Sequence, residues 1–509
     1  MPAPRPIVRP AARASALAAC ALALAWTGAA QARARPEPQL PAAPLPAAYA
    51  SGDATAPLAV LPSAALDAWW TLFRDPTLDA LEDEALRSAP DALTAAARLA
   101  EAREVQSGRD AATLPSGSIA ASASHQRAYD LSGGAGNLSP TGGVVDSASG
   151  TFNISWELDL FGRLATARRI ARADAAQARF AVEGTRASLA AAVADAYVQA
   201  QGLVIQLADA RETERIDADL LLVARRRAAA GAAPAVDIDR IAAEAGQAQA
   251  QATDLSARLT DARRALTILV GRDLRRLDDL ALTGAAPPVP PLPATLPADL
   301  LARRPDVREA EYRLRSEIGA AHLAHLAVFP TLTLLPALGV SSTAQPGVSF
   351  IPPSTLVTGQ QTTTSGFWTL AAGLTVPTLD IPRLLHQARA EDARAREAAI
   401  AYQATVRTAF GEAQAALVDV AAGQRAVAEL AAAEARAASA YGGVRRGYAG
   451  GVDDLTSLLE AERSWRAIRS ALTAEEVDAG HRAVRAFKAL GGGWAYDEVA
   501  SAGASGAGR

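Results

Sequence analysis

The sequence predicts a mainly α-helical protein with a membrane β-sheet, in which long helices form a tube and the strands anchor it as part of a β-barrel. Residues 163–233 and 383–450 contain no proline, and at ~1.5 Å per residue each would extend on the order of 100 Å as one helix. Both follow short segments in which apolar and polar residues alternate, a pattern typical of a strand with one apolar face. A globular core does not need helices of this length.

The two halves of the chain are related by an internal duplication. Offsets of 215 and then 220 positions superpose equivalent residues, namely Pro90-Asp91 on Pro305-Asp306, Arg163-Leu164 on Arg383-Leu384 and Gly231 on Gly451. We therefore expect two copies of a unit of helix, β-hairpin, long helix, turn and helix. The predicted boundaries are a first repeat at 66–283, a Pro-rich linker at 284–297, a second repeat at 298–492 and a flexible tail at 493–509.

The first 32 residues have the form of a secretory signal peptide. A basic region with three arginines precedes an apolar run at 14–26, and the segment ends in Ala30-Gln31-Ala32, an Ala-x-Ala cleavage site. We expect cleavage after Ala32, which leaves a Pro- and Ala-rich extended arm at 33–65.

The single cysteine suggests an alternative to signal-peptide cleavage after Ala32, namely processing as a lipoprotein. Cys20 lies in the segment Leu17-Ala18-Ala19-Cys20, which has the form of a lipobox. If the chain were a lipoprotein, cleavage would expose this cysteine for lipid attachment; otherwise Cys20 leaves with the signal peptide. With one cysteine, no disulfide can form within the chain.

Four segments alternate between apolar and polar residues, at 117–126, 151–158, 332–340 and 368–376. Long Gly-, Ser- and Thr-rich stretches at 128–149 and 342–365 are predicted to be loops at the hairpin tips. Four strands cannot close a barrel, since the smallest single-chain barrels use about eight, and open sheet edges do not occur in lipid. A membrane location therefore requires several chains, with a trimer of twelve strands as the simplest count. The alternative is a soluble sheet packed on helices.

Overall composition favours few classes of partner. The formal net charge is −4, which gives no reason to expect nucleic acid binding. Hydrophobic residues make up 50% of the chain, much of it alanine, while aromatic residues reach 5%. This mixture favours long helices that pack closely through small side chains.

Five segments together resemble the outer membrane efflux protein family, the TolC-like outer membrane factors of the NodT type. They are "WWTLFRDPTLDALEDEAL" from Trp69, "WELDLFGRLATARR" at 156–169, "LLARRPDVREAEYRLRSEIGAAHLAHLAVFPTLTL" at 300–334, "VPTLDIPR" at 376–383 and "YAGGVDDLTSLLEAERS" at 448–464. The resemblance covers about residues 60–492 in the family's order. It departs from the family at Ile381-Pro382, where paired glycines are usual, and at Cys20, which lies well upstream of the usual lipid anchor.

The resemblance implies a homotrimer with one shared twelve-stranded barrel in outer membrane lipid and one hollow α-barrel in the periplasm. It also implies a passive exit duct that works with a periplasmic membrane-fusion adaptor and an inner-membrane transporter of the RND type. Such a protein is not an enzyme and needs no cofactor. The alternative function is a non-conducting coiled coil or adhesin that spans the periplasm, which would require heptads of large apolar residues.

The turns between long helices contain the candidate site residues. Glycines at the predicted tips are Gly231, Gly450 and Gly451, which suit the left-handed conformation that ends a helix. By resemblance to the family, acidic residues near these turns are candidates for a periplasmic gate, namely Asp237, Asp453, Asp454 and Glu460. Asp453 and Asp454 have a second interpretation as helix caps, and Glu460 as part of a solvated face.

No cluster of catalytic residues appears in the sequence. His322 and His325 are spaced as neighbours on a helix face, but no third metal ligand accompanies them. No Gly-rich phosphate loop follows a strand and opens a helix. We therefore expect no catalytic, cofactor or metal site.

Overall fold

The computed structural model describes residues 46, 58–59, 63–127, 144–230, 234–273, 275, 280–284, 288–293, 302–351 and 355–494. The predicted signal peptide with Cys20, most of the predicted arm, Gly231 and the tail beyond residue 494 lie outside the described residues.

Long helices dominate the described chain. The helices are α1 (Pro76–Ser88), α2 (Pro90–Ala111), α3 (Arg163–Ala229), α4 (Ala235–Val270), α5 (Pro305–Leu326), α6 (Ile381–Ala449) and α7 (Leu455–Ala489). The strands are β1 (Leu58–Ala59), β2 (Ser116–Arg127), β3 (Val144–Leu158), β4 (Leu292–Pro293), β5 (Thr331–Ile351) and β6 (Thr355–Thr375). Short 3-10 helices cover Ser63–Leu66 and Trp69–Phe73.

The helices confirm the internal duplication. Helices α2 and α5 both have 22 residues. The long helices α3 and α6 have 67 and 69 residues, and the returning helices α4 and α7 have 36 and 35. Ala-rich sequence without proline lets each long helix continue unbroken, since alanine loses no side-chain entropy in a helix.

The chain divides into two compact units. The first contains Ala102–Asp174 and Leu314–Ala398, with the larger sheet; the second contains Ala175–Arg313, Ala399–Arg509 and residues 41–101. One stretch of α3 is apolar enough to cross a membrane by length and hydropathy, but most of it is buried within the fold. Burial of this kind is typical of a core helix.

Four antiparallel strands form the sheet of the first unit, in the order β2-β3-β5-β6. The predicted number of strands is therefore confirmed. Strand β3 of the first repeat pairs with β5 of the second, and the register places Phe152 opposite Leu338 and Leu338 opposite Trp368. Strands β2 and β6 are the two edges of the sheet.

The two predicted loops were wrong in extent. Most of 342–365 forms the upper halves of β5 and β6, which pair from Thr331–Thr375 to Ile351–Thr355. Likewise β3 begins at Val144 rather than near 150. Alternation is lost at 341–345 and 361–365, where all residues but Ala344 are Ser, Thr or Gln. The backbone pairing continues there, and hydroxyl groups pair across strands, as in Ser341–Ser365 at 3.1 Å.

The joints between sheet and long helices differ between the repeats. In the first, Gly162 has a φ of 81°, and the Asp159 carboxylate accepts hydrogen bonds from the N–H groups of Leu164 and Ala165 at 3.1 and 2.8 Å. In the second, α6 begins directly at Ile381 with Pro382 in its first turn, a position where proline loses no hydrogen bond. The departure from the family's glycines therefore gives a different start to the helix.

An aromatic core lies in the second unit. Trp69 stacks on Phe487 with ring centroids 5.3 Å apart, and both side chains are fully buried. Trp494 is also buried and donates a hydrogen bond from Nε1 to the Arg303 carbonyl at 3.0 Å, while Gly493 N–H donates to the Leu66 carbonyl. The predicted flexible tail therefore begins too early, because packed structure extends through Trp494.

The Pro-rich linker is not free along its whole length. Leu292 and Pro293 pair in parallel with Leu58 and Ala59, and Leu292 is buried in the aromatic core. The linker and the arm therefore pair with each other within the second unit.

Candidate functional site at the helical tips

The turn between α6 and α7 is closed by glycine. Gly451 has a φ of 74°, and the Val452 N–H donates to the Gly447 carbonyl at 2.9 Å across the turn. This pattern satisfies carbonyls at the end of α6 that have no partner within the helix. Gly450 precedes it and donates from its N–H to the Arg446 carbonyl.

The four candidate gate acids occupy different positions. Asp237 lies half-buried in the first turn of α4. Asp454 is exposed and caps α7, accepting a hydrogen bond from the Ser457 N–H at 2.7 Å. This bond lowers the pKa of Asp454 because it favours the charged form. Glu460 is exposed on α7.

Asp453 packs against the end of α6. A Cβ atom added at Gly447 would lie 1.8 Å from its Oδ2 atom, so the carboxylate occupies space that only glycine leaves open. The structure therefore brings Asp453 onto the turn and gives Asp454 a capping role, and it does not gather all four acids at one point.

Three arginines on α7 connect the two helical hairpins just behind the tip. Arg463, Arg466 and Arg469 follow one another at intervals of three residues and therefore share one helix face. Their partners on the first hairpin are Glu244 of α4 and Asp217 and Asp209 of α3. We call these six residues the arginine ladder.

The middle rung of the arginine ladder is buried. The Asp217 and Glu462 side chains are 1% and 2% exposed, and both contact Arg466; the distance from Arg466 Nη2 to Asp217 Oδ1 is 3.1 Å. Burial raises the pKa of Glu462 to about 7; Arg466 opposes this shift, while Asp217 and Glu244 add to it. The Arg466 guanidinium thus pairs with two buried carboxyl groups.

Aromatic and aliphatic side chains surround this rung. Tyr441 of α6 stacks on Trp465 of α7 with centroids 5.2 Å apart, and Trp465 Nε1 donates to Glu434 at 2.9 Å. An apolar cluster beside them contains Ala224, Ile241, Leu455, Leu458 and Leu459. The rung therefore lies in a site of low polarity, where charge pairs interact strongly and unpaired charges are costly.

Sequence reasoning missed the arginine ladder. Its signal was the spacing of arginines in "ERSWRAIRS" at 462–470, but the partners lie more than 200 residues away along the chain. The histidine pair has a plainer outcome, since His325 Nε2 contacts Asp392 Oδ2 at 3.0 Å and ties α5 to α6. Among the described residues there is no group of three or more potential metal ligands.

The sequence model of outer membrane efflux proteins matches residues 81–272 and 296–492. The chain belongs to the outer membrane efflux protein family. Each matched segment lies in a different copy of the duplicated unit. The four-stranded sheet and the long helices described above lie mostly within these two segments. The family places the chain in the outer membrane.

Relatives and solved structures agree with this assignment. The chain is 29% identical to the toluene efflux pump outer membrane protein TtgF of Pseudomonas putida, over 91% of this chain and 94% of that protein. It is also 29% identical to the pyoverdine export outer membrane protein OpmQ of the same species, over 84% and 88%. The outer-membrane channel OprN shares the fold with a TM-score of 0.74 at 26% identity, over 89% of this chain and 98% of that one. A non-conducting coiled coil is therefore not favoured for this efflux protein.

Proposed function

We propose that this outer membrane efflux protein forms the exit duct of a tripartite pump as a homotrimer. In this proposal it docks to a periplasmic membrane-fusion adaptor and an inner-membrane transporter of the RND type, and conducts substrates passively, with no enzymatic activity. The observation that carries the proposal is a four-stranded sheet with an apolar face and two unpaired edges.

The open edges are the reason for several copies. Strands β2 and β6 each have one neighbour in the chain, and unpaired backbone groups cost several kcal/mol each in hydrocarbon. Pairing β6 of one copy with β2 of the next would satisfy both edges, and three copies would give twelve strands. Large apolar side chains exposed on the helices of one chain, such as Leu93, Val105 and Ile400 at 56%, 54% and 68%, supply further surface for association.

Assembly is tested by cross-linking the detergent-extracted protein. We expect a trimer, with cross-links between cysteines placed on β2 of one copy and β6 of its neighbour. A folded monomer that remains inserted in lipid would contradict the shared barrel.

The gate is proposed at the helical tips. Asp237 lies in the first turn of α4 and Glu460 lies exposed on α7, where inward carboxylates of three copies would form a ring. Such rings attract cations and close by hydrogen bonds or salt bridges. Asp453 and Asp454 contribute through the turn between α6 and α7, which positions the start of α7.

Conductance measurements test the gate. The double variant Asp237→Ala, Glu460→Ala should conduct better than the parent in planar bilayers, and cells that carry it should admit vancomycin more readily. Glu397→Ala is the control, since Glu397 is exposed on α6 far from the tip in sequence. If the double variant forms trimers but conducts like the parent, the gate lies elsewhere along the helices.

A further inference from the structure

The sheet of the first unit has one apolar face, and its rows can be read from the pairing register. Rows of the same parity share one face, which carries Leu158, Trp156 and Phe152 of β3 beside residues of β5 and β6. These rows are Leu158–Leu332–Leu374, Trp156–Leu334–Ala372, Phe152–Leu338–Trp368 and Gly150–Val340–Gly366. Trp368 and Leu370 are 77% and 69% exposed, so this face is not covered by any described part of the chain.

The opposite face is formed by the intervening rows and is more polar, although it includes Leu335, Ala337 and Phe367. It carries Ser118, Asn153 and Thr369, with Thr151 and Phe367 one row further on. Phe367 lies over Gly339, where an added Cβ would meet its ring at 2.6 Å. Since residues of a strand point alternately to the two faces, the apolar rows identify the side that contacts lipid and the polar rows the side that contacts water.

The apolar face ends abruptly along the strands. Two residues beyond Val340 the same face carries Ser342 opposite Thr364, with hydroxyl groups 3.2 Å apart. The next row pairs His125 with Asp146 at 2.5 Å. From Leu158 to Gly150 the apolar rows extend about 27 Å along the strand, or roughly 21 Å along the membrane normal at the usual tilt, which is close to the ~25 Å apolar band of outer membrane barrels.

Strands β5 and β6 continue well beyond this limit. Both have 21 residues, whereas about 9–11 residues cross a bilayer. Residues 341–345 and 361–365 are Ser, Thr or Gln on both faces except Ala344, and backbone pairing extends to Ile351 and Thr355. A polar headgroup layer occupies about 5–8 Å on each side, so a hairpin with nine paired rows beyond Ser342–Thr364 is longer than that layer is thick.

We propose that the face bearing Phe152, Leu338 and Trp368 contacts lipid, that the outer-leaflet hydrocarbon ends at the Ser342–Thr364 row, and that the β5–β6 hairpin projects beyond the headgroups as a rigid extension whose first rows are polar. The projecting end is the extracellular one, because β2 ends at Arg127 and β3 begins at Val144 at this end, so a long connection joins them, and long loops of such barrels face outward. The hairpin is rigid because its ladder is continuous and its hydroxyl groups pair across strands. β2 ends at Arg127 opposite Val144, so β5–β6 is the taller hairpin. This inference rests on the outer membrane location of the family and on the assembly proposed above.

Single cysteines read by nitroxide labels test the proposal in proteoliposomes of the full mature chain. Cleavage after Ala32 removes Cys20, the only native cysteine, and flotation with the liposomes first establishes that the protein inserts. Labels at Leu338→Cys should collide with oxygen and be shielded from a water-soluble nickel chelate. Labels at Ala344→Cys and Thr362→Cys should show the reverse. Ala337→Cys, one residue from Leu338 on the opposite face, is the matched control and should be accessible to the chelate.

Reactivity with a membrane-impermeant maleimide gives a second measurement on intact cells. We expect Ala344→Cys to react roughly tenfold or more faster than Leu338→Cys, because the reactive thiolate does not form in hydrocarbon. Equal reaction at the two positions in an inserted protein would overturn the boundary, and a shielded Ala337→Cys with an accessible Leu338→Cys would overturn the choice of face. Failure to float with liposomes would instead contradict the proposed membrane duct.

Discussion

Replacing Glu462 by glutamine should remove a pH dependence from the packing of the two helical hairpins. Glu462 is 2% exposed and shares Arg466 with Asp217, and burial raises its pKa to about 7 from an ordinary 4.5. Glutamine keeps the size of the side chain and a hydrogen-bond acceptor for Arg466 but cannot ionise. The substitution therefore isolates the cost of the buried charge.

The magnitude follows from the two pKa values. Below pH 4.5 the carboxyl group is protonated in both the packed and the opened state, and it contributes no pH dependence. As the pH rises from 4.5 to about 7, ionisation becomes progressively favourable only in the opened state, so the packed state loses stability. Each pKa unit corresponds to about 1.4 kcal/mol, which gives a loss of about 3 kcal/mol per chain above pH 7.

Hydrogen exchange of the α7 amides around residue 462 measures this loss. After correction for intrinsic exchange, the opening equilibrium of the parent should increase on the order of a hundredfold between pH 4.5 and 8, while Glu462→Gln should change little. Glu429→Gln serves as the control, because Glu429 is exposed on α6 and loses the same charge. If the parent and Glu462→Gln show equal pH dependence, the carboxyl group is not titrating in its packed environment and the reasoning fails.

Three further predictions concern other parts of the chain. Glu82 is fully buried, neither of its carboxyl oxygens has a hydrogen-bond partner among the described residues, and burial raises its pKa well above 4.5; Glu82→Met should therefore stabilise the protein by about 1–3 kcal/mol in denaturant unfolding at pH 7, and a lower midpoint would contradict this. Asp454→Ala should lower the thermal midpoint by removing the cap of α7, whereas Asp454→Asn should retain it; equal midpoints for the two would show that the cap contributes nothing. Mass analysis of the mature protein should find a free amino terminus at Arg33, and recovery of lipidated Cys20 would refute this processing.

Much of the architecture could be predicted because its signals are local. Proline-free, Ala-rich sequence predicted the long helices, and the offset between repeats revealed the duplication. Strands with one apolar and one polar face were also visible. The upper parts of β5 and β6 were not, because polar residues on both faces at 341–345 and 361–365 leave no alternation and only pairing of the two strands with each other continues them.

At the helical tips, too, local features could be predicted from the sequence, whereas the burial of single residues could not. The sequence determined that both long helices would turn back at glycine-containing segments and that acids would follow, because chain reversal and capping depend on neighbouring residues. It did not determine which acids are buried. Glu460 and Glu462 lie two residues apart on α7, yet the first is exposed and the second is buried beside Arg466, which also pairs with Asp217 of α3. Successive residues on a helix point in directions about 100° apart, and only the packing of a distant hairpin decided which direction would be buried.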